Sequence, residues 1–186
     1  MSSGCPPTAR WEPPATLNER GIEHVWNLPS EEIYTVPDRD RVDGRAQLTS
    51  PAVVGGRTVR DVVLTFRGGR AVEVSGADGV RALREYLARD PGAARLGELA
   101  LVDGSSAVGT LEQTFGLILL DENIASHIAL GFGYPALVDA ADRRRVNQSG
   151  DHLDVTIGSA QLEVIGIDPD GRERVLLRAG EWHDST

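Results

Sequence analysis

Four histidine and carboxylate side chains occur in or beside segments whose apolar pattern otherwise predicts a hydrophobic core. His152 and Asp154 are two positions apart in a run with strand composition, so both would project from the same face. Glu98 interrupts an apolar run that predicts a buried strand, where an unpaired carboxylate is costly. His127 lies off the apolar stripe of a predicted short helix. Imidazole nitrogen and carboxylate oxygen bind divalent metals, so these residues indicate a metal site.

The spacing alone leaves a second interpretation open. A His-x-Asp pair is also compatible with a solvated edge strand, and the chain has no short metal motif such as His-Glu-x-x-His. If ligands from separate elements converge, however, they could hold two metals bridged by a carboxylate. Such a pair activates a water and stabilises the transition state of a hydrolysis.

The elements that would carry these side chains are mostly strands. Helical spacing predicts one clear helix over residues 78–90, with Asp78 as its cap, and a second over 121–131, with Ile124 and Ile128 facing the core. Glycine pairs and an Asp-Pro-Asp-Gly segment predict tight turns between neighbouring strands. The strand patterns cover residues 33–36, 45–49, 53–54, 62–66, 70–74, 96–102, 161–165 and 174–177.

This pattern predicts an α+β fold: a curled antiparallel or mixed sheet, or a barrel-like core, with a few helices. At 186 residues the chain is long enough for one domain with a full core. Prolines interrupt the first stretch, so we expect an irregular N-terminal arm over residues 1–26 and a single metal-binding domain over residues 27–186.

Charge and cysteine content narrow the classes of partner. The formal charge is −9, from 28 acidic and 19 basic residues, which argues against nucleic acid and anionic membranes as partners. Cys5 is the single cysteine, so an intramolecular disulfide and a zinc–thiolate cluster are excluded. We find neither a signal-peptide pattern nor an apolar run long enough to span a bilayer, and we expect a soluble cytoplasmic protein.

Four strings in order along the chain resemble the thermophilic metallo-aminopeptidase family, to which aminopeptidases T and S belong. The resemblance extends from about residue 27 to residue 182 and ends in a similar Gly-Glu-Trp. The strings are LPSEEIYT at 28–35, ARLGELAL at 94–101, DENIASH at 121–127 and HLDVTIGS at 152–159.

The resemblance implies the fold of that family's catalytic domain and a centre of two divalent metal ions, with zinc first and cobalt, manganese or iron as alternatives. Glu31 is a less favoured substitute for its neighbour Glu32. The implied metal ligands, matched motif by motif, are Glu32, Glu98, His127, His152 and Asp154.

The catalytic residues implied by the same match are one tyrosine and two glutamates. Tyr134 corresponds to the family's tyrosine near the metals and could donate a hydrogen bond to a developing oxyanion. Glu32 or Glu98 could transfer the proton. The resemblance also implies a possible homodimer.

One departure concerns length. Family members are about twice as long and carry an N-terminal α/β domain before the first glutamate motif, whereas only residues 1–26 precede it here. We therefore expect the metal-bearing part without the domain that restricts entry to the site. A piece of a longer protein and a stand-alone gene product both fit the sequence.

The sequence is compatible with three hypotheses of function. The first is a metal-dependent hydrolase that releases N-terminal amino acids or cleaves a related amide. The second keeps the metals but acts on an amino-acid-derived small molecule in a biosynthetic pathway. The third is a non-catalytic interaction module that retains only the fold.

Overall fold

The computed structural model describes residues 1–13, 15–25, 29–111, 113 and 115–183. Strands and turns make up most of this part, with two α-helices and three short 3-10 helices at Gly109–Leu111, Pro135–Leu137 and Arg143–Arg145. The predicted α+β class is confirmed. In chain order the elements are β1 (Ser2–Ser3), β2 (Ala15–Leu17), β3 (Glu23–Val25), β4 (Glu32–Thr35), β5 (Val42–Gln47), β6 (Ala52–Val54), β7 (Arg57–Arg67), β8 (Arg70–Asp78), α1 (Val80–Leu87), β9 (Leu96–Val102), α2 (Ile118–Asp121), β10 (His127–Gly131), β11 (His152–Thr156), β12 (Val164–Ile167), β13 (Glu173–Arg178) and β14 (Glu181–Trp182).

The strands of this part of the chain form four open, antiparallel sheets. A five-stranded sheet has the order β1-β5-β7-β6, with β8 also paired to β7. A four-stranded sheet has the order β11-β10-β9-β4, and two small sheets hold β12-β13-β14 and β2-β3. Curled antiparallel sheets are therefore the observed alternative, and the described strands do not close into the barrel-like core also considered.

The main core lies between the five-stranded sheet, α1 and the back of the four-stranded sheet. Leu64 and Phe66 on β7, Leu83 on α1 and Ile128 on β10 are fully or almost fully buried in one cluster. Each such side chain contributes about 1.5–3 kcal/mol through its burial. The helix is shorter than its pattern predicts, because Asp78 belongs to β8 and does not cap it.

The second predicted helix is the main error of the sequence analysis. The segment 121–131 contains only the end of the four-residue α2, and His127 begins strand β10. Both edges of β10 are hydrogen-bonded, to β9 and to β11, and all five of its residues are buried. Pairing on both sides outweighs the local helical spacing, which cannot distinguish helix from strand in so short an apolar run.

The four-stranded sheet presents an apolar back and a polar front. Leu99, Ile128 and Val155 are opposite one another in register and pack on the main core. A bulge at Gly97 makes Leu96 the partner of Leu130, while Glu98 becomes the partner of Ala129. Leu96 therefore enters the core and Glu98 faces the front, although a regular strand would place both on one side.

Residues 1–25 contribute three short strands to the fold. Strand β1 pairs with β5, and β2 and β3 form a hairpin. The stretch expected to be an irregular arm thus contains pairing, while its predicted boundary at residues 26–27 lies outside the described residues. No described helix has the length and hydrophobicity needed to cross a membrane.

A Gly97→Ala substitution tests the bulge. A Cβ at this position would overlap the carbonyl oxygen of Phe132, so we expect a loss of about 1–3 kcal/mol in unfolding free energy and a displaced Glu98. Denaturant unfolding measures the loss. Gly150→Ala is the matched control, because a Cβ there has only the distant Asp90 carboxylate within reach. Equal stability of the two variants would contradict a required glycine.

Candidate metal centre

The front of the four-stranded sheet gathers the side chains that the sequence marks as metal ligands. Glu32 is on β4, Glu98 on β9, His127 on β10, and both His152 and Asp154 on β11. Each strand therefore contributes at least one of them. Residues directly opposite in an antiparallel pair share a face, so the register alone brings these side chains to one side of the sheet.

Two buried alanines leave room between the polar side chains. Ala129 is the cross-strand partner of both Glu98 and Asp154. Ala100 is the partner of both Tyr34 and His127. Since neither alanine projects beyond its Cβ, the surrounding carboxylates and imidazoles can converge above the sheet.

The polar side chains form two adjacent groups that share Glu98. His127 Nε2 lies 3.2 Å from Glu32 Oε2 and 3.6 Å from Glu98 Oε1. His152 Nε2 lies 3.5 Å from Glu98 Oε2 and 3.2 Å from Asp154 Oδ1. In each group, potential ligand atoms lie within 4.8 Å of one another, and one oxygen of Glu98 faces each histidine.

Burial and unpartnered atoms fit a site for cations. Glu98 and His127 are 4% and 1% exposed. Within the described part of the chain, Glu32 Oε2 and His127 Nδ1 are buried without a hydrogen-bond partner of adequate geometry. Buried charged groups are costly unless they are paired or bind a metal. The donor set of carboxylate oxygens and imidazole nitrogens therefore fits one or two divalent cations.

The two histidines differ in how their rings are held. His152 Nδ1 lies 2.9 Å from the carbonyl oxygen of Phe132, so its Nε2 is free to face Glu98 and Asp154. Protein metal ligands commonly use such a hydrogen bond to orient the imidazole. The ring of His127 is held by burial inside the sheet.

A cluster of aromatic side chains lies at the border of the site. The ring of Tyr134 lies 5.6 Å from those of His152, Tyr34 and Phe132, measured between centroids. Tyr34 and Tyr134 also pack on a small apolar cluster that includes Val36. Sequence analysis predicted Tyr134 at the site, and the structure places it beside His152. It did not identify Tyr34, whose position two residues after Glu32 on one strand was the available signal.

A buried asparagine connects two parts of the site. Asn123 is 0% exposed. Its Oδ1 accepts a hydrogen bond of 2.7 Å from the backbone N–H of Glu31, and its Nδ2 donates to the carbonyl oxygen of Leu119. The start of β4 is therefore tied to the segment after α2. Glu31, the alternative to Glu32, belongs to neither of the two ligand groups found among the described residues.

The family assignment follows from comparison with known proteins. Residues 1–182 match the family model described as thermophilic metalloprotease (M29). The chain belongs to the M29 family. The resemblance seen in the sequence is therefore confirmed.

Individual M29 relatives agree with this assignment. The chain is 37% identical over 180 residues to aminopeptidase 2 of Geobacillus stearothermophilus and 38% identical over 178 residues to aminopeptidase T of Thermus thermophilus. Each alignment covers 92% of this chain and 44% of the relative. The chain thus spans less than half the length of these relatives.

A solved M29 structure shares the fold. Wild-type AmpT from Thermus thermophilus superposes with a TM-score of 0.91 at 37% sequence identity. The match covers 97% of this chain and 46% of that chain. The similarity therefore includes nearly all of the elements described above.

Electrostatics in this M29 chain favour protonated groups before any cation binds. Burial raises the pKa of Glu32 to about 7; the charge of His127 opposes this shift and that of Glu98 adds to it. Burial alone lowers the pKa of His127, but its interactions with Glu98, Glu32 and Asp154 raise it to about 9. The proton on His127 thus partly replaces the positive charge that the carboxylates require.

His152 and Asp154 behave as an ion pair. Burial opposes the charged form of each, but their hydrogen bond and mutual attraction prevail. The pKa of His152 is raised to about 9, with further support from the Phe132 carbonyl, and that of Asp154 is lowered.

Glu122 is a site residue that the sequence analysis missed. Burial and the charge of Asp154 raise its pKa to about 7, and the charges of His127 and His152 lower it. Its charge is therefore coupled to the site, although Glu122 belongs to neither of the two ligand groups found among the described residues. Glu122 lies in the DENIASH string, from which only His127 was predicted as a ligand.

The pKa shifts predict an unusual pH dependence. Glu32, Glu122, His127 and His152 all have folded-state pKa values above their ordinary ones. Stability from such groups is complete below the ordinary pKa and is lost as the pH rises through the folded value. Metal-free protein should therefore lose stability from about pH 4.5 to about pH 9. Asp154, with a lowered pKa, acts oppositely and only in strong acid.

Zinc should counter the loss of stability at higher pH. The ligands must be deprotonated to bind zinc, so zinc binds and stabilises the fold more strongly as the pH rises. We expect the difference in Tm between zinc-loaded and metal-free protein to widen by about 5 °C or more from about pH 5 to about pH 8. Thermal unfolding with zinc or with a chelator measures it. His183→Gln, on the C-terminal sheet, is the control and should leave the trend intact. A zinc effect of constant size over this range would contradict the assignment.

Proposed function

We propose that this chain forms the hydrolytic centre of an M29 metallo-aminopeptidase, which releases N-terminal amino acids or cleaves a related amide. The observation that carries the proposal is the position of Glu98, whose two carboxylate oxygens each face a separate histidine-containing group. A shared carboxylate is the feature expected of a two-metal site. M29 membership and relatives named as aminopeptidases support the same reaction class.

The proposed ligands are those expected from the sequence, and Glu122, which belongs to neither ligand group, is proposed as an additional carboxylate beside them. Glu32, Glu98 and His127 would hold one divalent ion, and Glu98, His152 and Asp154 the other. With Glu122, four carboxylates would balance the charge of two divalent ions. Zinc is the first choice, and cobalt, manganese and iron suit the same donors. Ions held there would act as Lewis acids and activate water at neutral pH.

The chain's own side chains would position the substrate and move protons. Burial and the carboxylates of Glu98 and Asp154 raise the pKa of Tyr134, so its phenol stays protonated and can donate a hydrogen bond to a developing oxyanion. Glu122, whose pKa burial raises to about 7 in the metal-free chain and which belongs to neither ligand group, is suited to proton transfer. Glu32 would be deprotonated when it binds a cation and would then act as a ligand. Because both Glu98 oxygens face ligand groups, Glu98 suits bridging better than proton transfer.

The substrate is proposed to be a short peptide or an aminoacyl amide. Action on an amino-acid-derived small molecule would use the same centre. A non-catalytic module would not require two complete ligand groups. Zinc as the native metal, a homodimer and a cytoplasmic location remain predictions.

Glu98→Gln tests the shared ligand without changing side-chain shape. We expect zinc affinity to fall by more than the roughly 100-fold attributed to outer-sphere partners, and hydrolysis of aminoacyl p-nitroanilides and dipeptides to fall to background. Metal analysis and a substrate panel with zinc, cobalt or manganese measure both. Glu85→Gln, on the exposed face of α1, is the control. If metal-loaded wild-type protein hydrolyses nothing in the panel, the proposal fails.

Tyr134→Phe tests the oxyanion donor. Loss of one such donor should lower kcat about 10²–10³-fold, with bound metal and KM unchanged. Tyr86→Phe is the matched control, because it should affect stability and not kcat. It removes a 3.0 Å hydrogen bond to the Leu130 carbonyl behind the sheet and should reduce stability while sparing kcat. An unaltered kcat in Tyr134→Phe would exclude the assigned role.

A further inference from the structure

The N-terminal segment extends the sheet that carries the site. Glu12 and Tyr34 form an antiparallel bridge, with N···O distances of 2.8 and 3.2 Å in the two directions. Next to the bridge, Thr35 Oγ1 donates to the carbonyl oxygen of Arg10 at 2.8 Å, and Arg10 is fixed in turn by Asp139. Residues 10–12 therefore run along the outer edge of β4.

This pairing determines which way Glu12 points. Opposite residues of an antiparallel pair share a face, so Glu12 lies on the same face as Tyr34. Tyr34 is two residues from Glu32 on β4 and shares that face as well. Burial and the charges of Glu12, Glu98 and Glu32, in that order, raise the pKa of Tyr34 to about 12. Because Tyr34 pairs with Glu12 on one side and with Ala100 of β9 on the other, it lies between Glu12 and the metal centre.

Glu12 is not used by the metal centre. It belongs to neither ligand group found among the described residues. No arginine or histidine in this part of the chain forms an ion pair with it. It is partly exposed, as is Tyr34, whereas Glu98 and His127 are almost completely buried. Glu12 thus provides an unpaired carboxylate at the solvent-facing border of the site.

We infer that Glu12 determines specificity by binding a cationic side chain, a guanidinium or an ammonium, of the residue at the cleaved amide. This inference rests on the proposed function. The α-amine of a substrate lies two bonds from the cleaved carbonyl and so belongs at the metal centre. Arginine and lysine carry their charge at the end of a long stem, which can lie on the Tyr34 ring while the charge reaches Glu12.

The test compares arginine with its uncharged isostere citrulline. The zinc-loaded full chain is assayed on the p-nitroanilides of both, and free L-arginine and L-citrulline are titrated calorimetrically. We expect wild-type protein to favour arginine about tenfold in kcat/KM and in affinity. Glu12→Gln should bring both ratios near one, chiefly by lowering the kcat/KM and the affinity for arginine. Glu12→Asp should restore part of the preference, and Glu19→Gln, an exposed glutamate of the same N-terminal stretch, should keep it.

The outcomes separate this inference from the function on which it rests. Circular dichroism checks that each variant is folded, which is expected because the Glu12–Tyr34 bridge uses only backbone atoms. Hydrolysis of both substrates at equal rates, or an arginine preference that survives Glu12→Gln, would overturn the role of Glu12 and leave the hydrolase intact. Absence of any hydrolysis by the zinc-loaded wild-type chain would overturn both.

Discussion

The concentration of buried and half-buried carboxylates on one face of a sheet is the constraint on which the rest of the structure depends. Glu32, Glu98, Glu122 and Asp154 lie near one another, and only His127 and His152 offer positive charge among them. Without a cation, burial and then the charges of neighbouring carboxylates favour the protonated forms of Glu32 and Glu122 and raise the pKa of each to about 7. A divalent ion removes the need for those protons. The fold must therefore keep the carboxylates in place at a cost to its own stability.

The sheet tolerates this destabilising charge because its two faces differ in composition: the back is apolar and the front is polar. The back packs Leu99, Ile128 and Val155 against the main core, which anchors β9, β10 and β11. The front keeps only Ala100 and Ala129 beneath the site. Apolar burial behind the sheet thus offsets the unfavourable charge in front of it. The bulge at Gly97 allows Leu96 and Glu98 to point to opposite faces of the sheet.

The site does not depend on a distant part of the chain for its ligands. Every proposed ligand lies on the four-stranded sheet or in the segment before β10. This agrees with the comparisons, in which less than half of each relative's length covers nearly all of this chain. The N-terminal segment adds Glu12 beside Tyr34, at the edge rather than the centre. Strand β4 thus carries the proposed ligand Glu32 and also Tyr34, which pairs with Glu12.

The sequence by itself determined the residue types and the family. Alternation in 152–156 and the costly Glu98 indicated candidate ligands from local chemistry, and the resemblance of the four ordered strings implied Glu32 and Tyr134. Tertiary structure alone decided that His127 lies on a strand, since pairing with β9 and β11 is non-local. It also placed Glu32, and not Glu31, in a group of potential ligands, and it showed Glu12 beside Tyr34. Those assignments depend on which face a residue occupies, and cross-strand register and a single bulge set that face.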